Sequence, residues 1–191
     1  AGALLVLLGG NESRAEEPIY EGERTTWSLG VGVTGAAFTQ SSPWFGRDVA
    51  NIGAETDEWL ELGVTPSLSF TVDTGDGGEF FGALSAVATQ TLGESADGLA
   101  VGDDDPGSVT LEQLNLGWRR SWEEDGLFEI IGGNFDYEIG TGFLVKDGGS
   151  DGGGRGGFYL GARSAFRESG LIRVKHDGFL AELFYLGNNP R

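Results

Sequence analysis

The amino-acid sequence predicts an all-β fold: an antiparallel up-and-down meander of a transmembrane outer-membrane β-barrel, here a partial, open barrel of about seven to eight strands. Two observations predict it. Apolar and polar residues alternate over stretches longer than an ordinary strand, and the connections between these stretches are alternately short and long. Outer-membrane barrels have one lipid-facing and one wet side to each strand, with short turns at one rim and longer loops at the other.

The first fifteen residues are predicted to be the remnant of a signal peptide. Residues 3–8 are apolar, and Ser13-Arg14-Ala15 fits a small-x-small cleavage site. Residues 16–191 are accordingly predicted to be the N-terminal part of a transmembrane β-barrel. A short buried strand or helix at residues 3–8 is the alternative interpretation.

The first two predicted strands show the alternation most clearly. Residues 27–40 alternate Leu and Val with Gly, Ser and Thr, and from Leu60 to Val72 every second residue is apolar. An ordinary strand has about five to six residues, whereas a tilted membrane-spanning strand needs about 9 to 11. We expect one outer face to carry Leu62, Val64, Leu68 and Phe70, and the opposite face to carry Thr65, Ser67, Ser69 and Thr71.

The later strands follow the same pattern. Residues 80–92 are rich in Ala, Ser, Thr and Val, and residues 110–122 alternate Leu and Trp with polar residues. Residues 127–139 continue the series with a predicted bulge at Gly132-Gly133. Two strands at 170–175 and 179–186 complete it.

The connections predict that all short turns lie at one rim. The short ones, 74–78, 123–126 and 176–178, each contain Asp-Gly, which favours tight turns. The long ones are 41–57, 93–109 and 140–169. Aromatic residues near the strand ends are expected to form the interfacial girdles; these are Trp27, Trp59, Phe80, Trp118, Trp122, Phe179 and Tyr185.

The composition excludes several classes of function. The chain has no cysteine and one histidine, His176, so thiolate sites, histidine zinc sites and histidine-dependent triads are not expected. The net charge of −18 is not compatible with a nucleic-acid partner. Residues 1–140 carry a net −20 and residues 141–191 a net +2, so an anion is expected to bind in the C-terminal part.

The segment 140–166, GTGFLVKDGGSDGGGRGGFYLGARSAF, falls in the third long connection. Seven of the eleven residues from Asp147 to Gly157 are glycine, so the backbone can run close to a barrel wall. This segment resembles the glycine-rich, arginine-containing loop of the alginate-export family, outer-membrane porins that pass an anionic polysaccharide. The rest of the chain is similar to that family only in its barrel pattern.

The resemblance implies a passive pore in the outer membrane of a Gram-negative bacterium, selective for an anionic oligo- or polysaccharide or a small organic anion. It implies pore-lining cations at Arg155, Arg163, Arg167, Arg173 and Lys175. Alternation independently places Arg173 and Lys175 on the wet face, because a charge facing lipid costs about 2–4 kcal/mol at the midplane. A bracing role is the alternative, in which the arginines pair with lumen acids such as Glu129, Asp136, Glu138 and Glu182.

Two other classes of function remain open alternatives. Asp147 and Asp151 in the glycine-rich run faintly resemble a Gly/Asp calcium repeat, although only one imperfect copy is present. The paired carboxylates Asp136 and Glu138 allow an outer-membrane enzyme, but no nucleophile with a histidine or cysteine partner is available. The sequence therefore predicts a porin, without catalytic residues, a metal or a cofactor.

Overall fold

The computed structural model describes residues 3–6, 15–41, 56–93, 107–123, 125–142, 145, 160 and 166–188. Nine strands lie within these ranges. They are β1 (Ala3–Val6), β2 (Ala15–Glu21), β3 (Thr25–Ser41), β4 (Thr56–Asp73), β5 (Gly78–Gly93), β6 (Gly107–Trp122), β7 (Gly126–Asn134), β8 (Phe166–His176) and β9 (Phe179–Asn188). In the described ranges, no helix is long and apolar enough to cross a membrane.

All nine strands belong to one antiparallel sheet. From β3 to β9 each strand pairs with its neighbour in the chain, and β1 and β2 both pair with β3. Over the described residues the sheet does not close on itself. The predicted all-β, open up-and-down meander is thus confirmed. Residues Ala3–Val6 pair with residues 37–40 of β3, and the signal-peptide interpretation stays a prediction.

The short turns lie at one rim of the sheet, as predicted. In the β4–β5 turn, the Gly75 N–H donates to Asp73 Oδ1 at 2.6 Å, and Gly75 has φ +85°, a conformation that favours glycine. A hydrogen bond from the Thr74 hydroxyl lowers the pKa of Asp76 in the same turn. The Ser121 N–H donates to the Gly77 carbonyl at 3.1 Å. Neighbouring turns are therefore joined along the rim.

Strand length separates the sheet into two parts. Strands β3 to β6 have 16 to 18 residues, whereas β7, β8 and β9 have 9, 11 and 10. The predicted strand 127–139 is wrong beyond Asn134. Gly133 has φ +116°, and a Cβ there would lie 2.2 Å from the Leu114 carbonyl oxygen. This backbone turn, possible only for glycine, precedes the end of the pairing.

The two faces of the sheet differ in polarity. We call the face that carries residues 135–145 and Leu160 the inner face, and the opposite one the outer face. Leu62 and Val64 on the outer face of β4 are 43% and 42% exposed, whereas Ser67 on its inner face is 8% exposed. On this strand these apolar side chains are thus more exposed than the polar one. The predicted facing of this strand is confirmed.

One predicted girdle residue is on the wrong face. Trp59 lies on the inner face, buried, with its ring stacked on Phe38 at 4.9 Å between centroids. The predicted phase of alternation was right for Leu60 and Leu62, and Trp59, one residue before Leu60, necessarily points the other way. Trp27 is 36% exposed on the outer face and contacts Phe70 there, in agreement with a girdle position.

Candidate functional site

A row of charged residues crosses the inner face near the short-turn rim. The pairing register places one residue of each strand from β5 to β9 in line: Glu79 opposite Arg119, Arg119 opposite Glu129, Glu129 opposite Arg173, and Arg173 opposite Glu182. Because directly opposed residues share a face, the five charges alternate in sign along one line. We call this set the charged row.

Ion pairs join most members of the charged row. Arg173 Nη1 lies 3.0 Å from Glu129 Oε1, and Arg173 Nε lies 2.6 Å from Glu182 Oε1. Arg119 donates to Glu79, and its guanidinium stands over the Phe81 ring at 5.0 Å from the centroid. Both arginines thus contact carboxylates of a neighbouring strand. The row ties the sheet together across its strands.

The chain after β7 folds onto the inner face instead of leaving the sheet. Phe135, Tyr137 and Leu171 form a buried apolar cluster; Ile131, Ile139, Val145, Phe166 and Leu186 pack against it. The Gln113 side-chain amide donates to Asp136 Oδ2 at 3.2 Å, which places this segment over β6 as well. Residues 135–139 and Val145 therefore cover part of the inner face from β6 to β9.

Tyr137 connects this segment to the charged row. Its hydroxyl donates to Glu182 Oε2 at 2.8 Å, and its ring lies 5.2 Å from that of Phe184. Burial, followed by the hydrogen bond to Glu182, raises the pKa of Tyr137 to about 12. The phenol is therefore held as a proton donor to a carboxylate that Arg173 also binds.

A second contact joins the long connection to the opposite part of the sheet. Leu160 packs against a buried cluster of Ala36, Phe38 and Trp59 on β3 and β4. The Leu160 N–H donates to Glu61 Oε2 at 2.9 Å, and Trp59 Nε1 donates to Glu61 Oε1 at 3.1 Å. The predicted inward course of segment 146–166 is confirmed at Leu160; its other residues up to 165 lie outside the described ranges.

The predicted pore-lining cations are not all described. Arg155 and Arg163 lie outside the described residues, and Arg167 is half-buried at the start of β8. Arg173 lies on the inner face as predicted and makes the two ion pairs of the bracing alternative. Lys175 is exposed two residues further along the same strand, with no ion pair found in the described ranges.

The prediction missed Glu79 and Tyr137 as members of this face, and it missed the partners of Arg119 and Glu61, which alternation did place there. Alternation assigned Arg119 to the polar side of its strand, but its partners depend on the register between strands. The distance from the tight turn is the sequence signal that could have indicated the pairing of Arg119 with Glu129. Arg119 is three residues before the end of β6, and Glu129 is three residues after the start of β7. Hairpin geometry fixes such pairs when the turn is short.

One group in the described ranges has metal-ligand geometry. Asp125, His176 and Asp177, at the short-turn rim, bring ligand atoms within 4.8 Å of one another. Asp125 Oδ2 already accepts the Gly178 N–H at 3.2 Å, so this carboxylate stabilises the neighbouring turn. Asp147 and Asp151, the calcium alternative, lie outside the described residues.

Comparison of the chain with protein-family models, with curated proteins and with solved structures gives no match. The resemblance to the alginate-export family therefore stays a prediction.

Proposed function

We propose that this chain forms part of the wall of a Gram-negative outer-membrane porin through which an anionic polysaccharide or organic anion diffuses passively. The exposed apolar outer face carries this proposal. Leu29, Val33, Leu84, Leu116 and Leu183, on four different strands, are each more than 40% exposed there. Water-soluble monomers rarely expose so continuous an apolar surface, and contact with lipid removes it from water.

The inner face fits the lumen of such a pore. Its charged row and hydroxyl side chains suit a water-filled space, where ions remain hydrated. Residues 135–145 and Leu160 contact this face at two places, over β6–β9 and over β3–β4. The glycine-rich run lies between these two contacts in the chain, outside the described residues.

Anion preference in this pore depends on cations that carboxylates do not neutralise. The charged row contains two arginines and three glutamates, and both arginines form ion pairs. Lys175, on the same face, adds a positive charge with no ion pair in the described part of the chain. We therefore assign selectivity to Lys175 and a mainly bracing role to Arg173. Arg155, Arg163 and Arg167 are included in the selectivity assignment because of the sequence resemblance alone. Guanidinium groups suit carboxylate-bearing permeants through bidentate hydrogen bonds.

Planar-bilayer recordings test this function. The protein should conduct ions, and the reversal potential in a salt gradient should report a preference for anions. Replacing Arg155, Arg163 and Lys175 with Gln should lower the anion-to-cation permeability ratio. Arg120→Gln is the matched control, because Arg120 lies on the outer face at the rim, 3.9 Å from Asp76. Absence of channels would reject the porin; unchanged reversal potentials in the triple variant would reject the selectivity assignment.

A further inference from the structure

The inner face of β4 holds a buried carboxylate, that of Glu61. Glu61 is 0% exposed and stands on the inner face of β4, among Gly, Ser and Thr residues of the same strand. Burying a carboxylate is costly unless hydrogen bonds compensate. Its two oxygens accept hydrogen bonds from Trp59 Nε1 and from the Leu160 backbone. One of these donors belongs to the wall and the other to the long connection, 99 residues away.

The wall around Glu61 is shaped to receive Leu160. At Gly63, two residues along the same face, a Cβ would be in van der Waals contact with Leu160, 3.8 Å from both its Cβ and its carbonyl oxygen, and only 2.7 Å from Thr34 Oγ1. Glycine there leaves room for the Thr34 hydroxyl, and Leu160 lies directly over this position of the sheet. Ala36, directly opposite Glu61 on β3, is also small and packs with Leu160. Glu61, Gly63, Ala36 and Trp59 thus form a seat for one residue of the connection.

We propose that Glu61 is the positioning residue that fastens the arginine-bearing segment to the inner face. Arg163 is three residues from Leu160 and Arg155 is five, so a fixed Leu160 keeps their Cα atoms within about 11 Å and about 18 Å of it. The anchor itself follows from the contacts of Glu61. Its consequence for conduction rests on the proposed function, because holding these arginines in a lumen matters only if the sheet lines a pore.

A carboxylate suits this role better than an amide. The Trp59 and Leu160 donors to Glu61 are both N–H groups, and a carboxylate offers an acceptor oxygen to each of them. In Glu61→Gln, one donor faces an NH₂ group, and in Glu61→Ala neither donor keeps its acceptor. Leaving a buried donor unsatisfied has a larger effect than losing an average hydrogen bond. Both variants are therefore expected to release Leu160.

Limited trypsin digestion of the full chain in detergent micelles tests the anchor. Trypsin cuts after Arg155 and Arg163, and fragment masses identify these cuts. Both Glu61 variants should raise the cleavage rate at these sites by about ten- to a hundredfold, the effect of losing a hydrogen bond to a charged group. Glu58→Gln, with the same charge change at an exposed position of β4, should leave the rate unchanged. Rates within twofold of wild type in folded Glu61 variants would overturn the proposal.

An engineered disulfide tests the same contact without relying on loss of Glu61. The chain has no cysteine, and the separation of 3.8 Å at Gly63 and Leu160 matches the Cβ–Cβ distance of a disulfide. Gly63→Cys with Leu160→Cys, combined with Thr34→Ala because a Cβ at Gly63 would lie 2.7 Å from Thr34 Oγ1, should oxidise readily. In the Glu61→Ala background it should restore resistance to trypsin. Failure of this pair to oxidise while Glu61 is intact would overturn the proposal.

A third pair of variants decides the matter if the Glu61 variants do not fold. Leu160→Pro removes the N–H that Glu61 accepts, whereas Leu160→Ala keeps it and loses only packing. Cleavage should be faster in the proline variant; equal rates would overturn the proposal.

In bilayers, releasing the anchor should raise conductance and its fluctuations. A wild-type protein that forms no channel rejects the proposed function, while the digestion and disulfide results still decide the anchor.

Discussion

Arg173 shows how one charged residue can stabilise the sheet by joining neighbouring strands. Its guanidinium binds Glu129 on one neighbouring strand and Glu182 on the other, and those carboxylates are only 12% and 18% exposed. Removing the cation leaves two partly buried carboxylates facing each other. Removing one member of a buried ion pair usually destabilises the folded protein by more than the pair contributed, because the partner charge stays buried without compensation.

We expect Arg173→Met to lower the free energy of unfolding by about 3 kcal/mol, whereas Lys175→Met, two residues away on the same face, changes it by less than about 0.5 kcal/mol. Urea unfolding in detergent micelles measures both. Adding Glu129→Gln and Glu182→Gln to Arg173→Met should recover part of the loss. Equal effects of the two Met variants would show that the ion pairs contribute no stability.

The raised pKa of Tyr137 predicts how the stability of the fold changes at alkaline pH. Its pKa is raised from 10.0 to about 12, mainly by burial. The folded protein therefore keeps this proton at a pH where the unfolded chain releases it, so the stability due to Tyr137 is fully present below pH 10 and is lost as the pH rises toward 12. The tyrosinate absorbance of wild type minus that of Tyr137→Phe should develop with a midpoint near 12. A midpoint near 10 would mean that the phenol is exposed.

Alternation along a strand was sufficient to predict which face of the sheet each residue occupies. It was not sufficient to predict which residues of neighbouring strands are paired. The pattern from Leu60 to Val72 gave the right face for each residue, because side-chain direction has a period of two along any strand. It could not give the charged row, since Arg119 and Arg173 acquire their partners through pairing register. It also could not show that Glu61 is buried, because Leu160, which contacts Glu61, is distant in the chain.

The outer face of one strand can be tested against its inner face. Val64 is 42% exposed on the outer face of β4, and Thr65 is its neighbour on the inner face. In a lipid-facing position a lysine should destabilise the folded protein by about 2–4 kcal/mol, and toward a wet lumen by much less. Urea unfolding of Val64→Lys and Thr65→Lys in liposomes should therefore give clearly different losses. Similar losses would contradict contact of the outer face with lipid.

At the level of the whole molecule, a single sheet has to satisfy two environments. The outer face presents apolar side chains from β3 to β9, and the inner face holds the charged row and both contacts of the long connection. A second layer packed on the outer face would be the solution in a water-soluble sandwich. Over the described residues no second layer covers that face, and the proposed contact with lipid would remove it from water.

Tryptophan fluorescence in lipid vesicles tests this arrangement directly. Trp27 is exposed on the outer face, and Trp59 is buried on the inner face against Phe38 and Leu160. Bromine atoms on lipid chains quench only indole rings that touch the chains. In variants that keep one tryptophan each, brominated lipid should strongly quench the Trp27 emission and leave that of Trp59 nearly unchanged. Because Trp27 pairs with Phe70 and Trp59 with Phe38, the two rings lie near opposite ends of β3 and β4, so lipids brominated at several depths are needed to separate the effect of the face from that of depth. Equal quenching of the two, or folding of the chain in buffer without lipid or detergent, would contradict a membrane-spanning sheet.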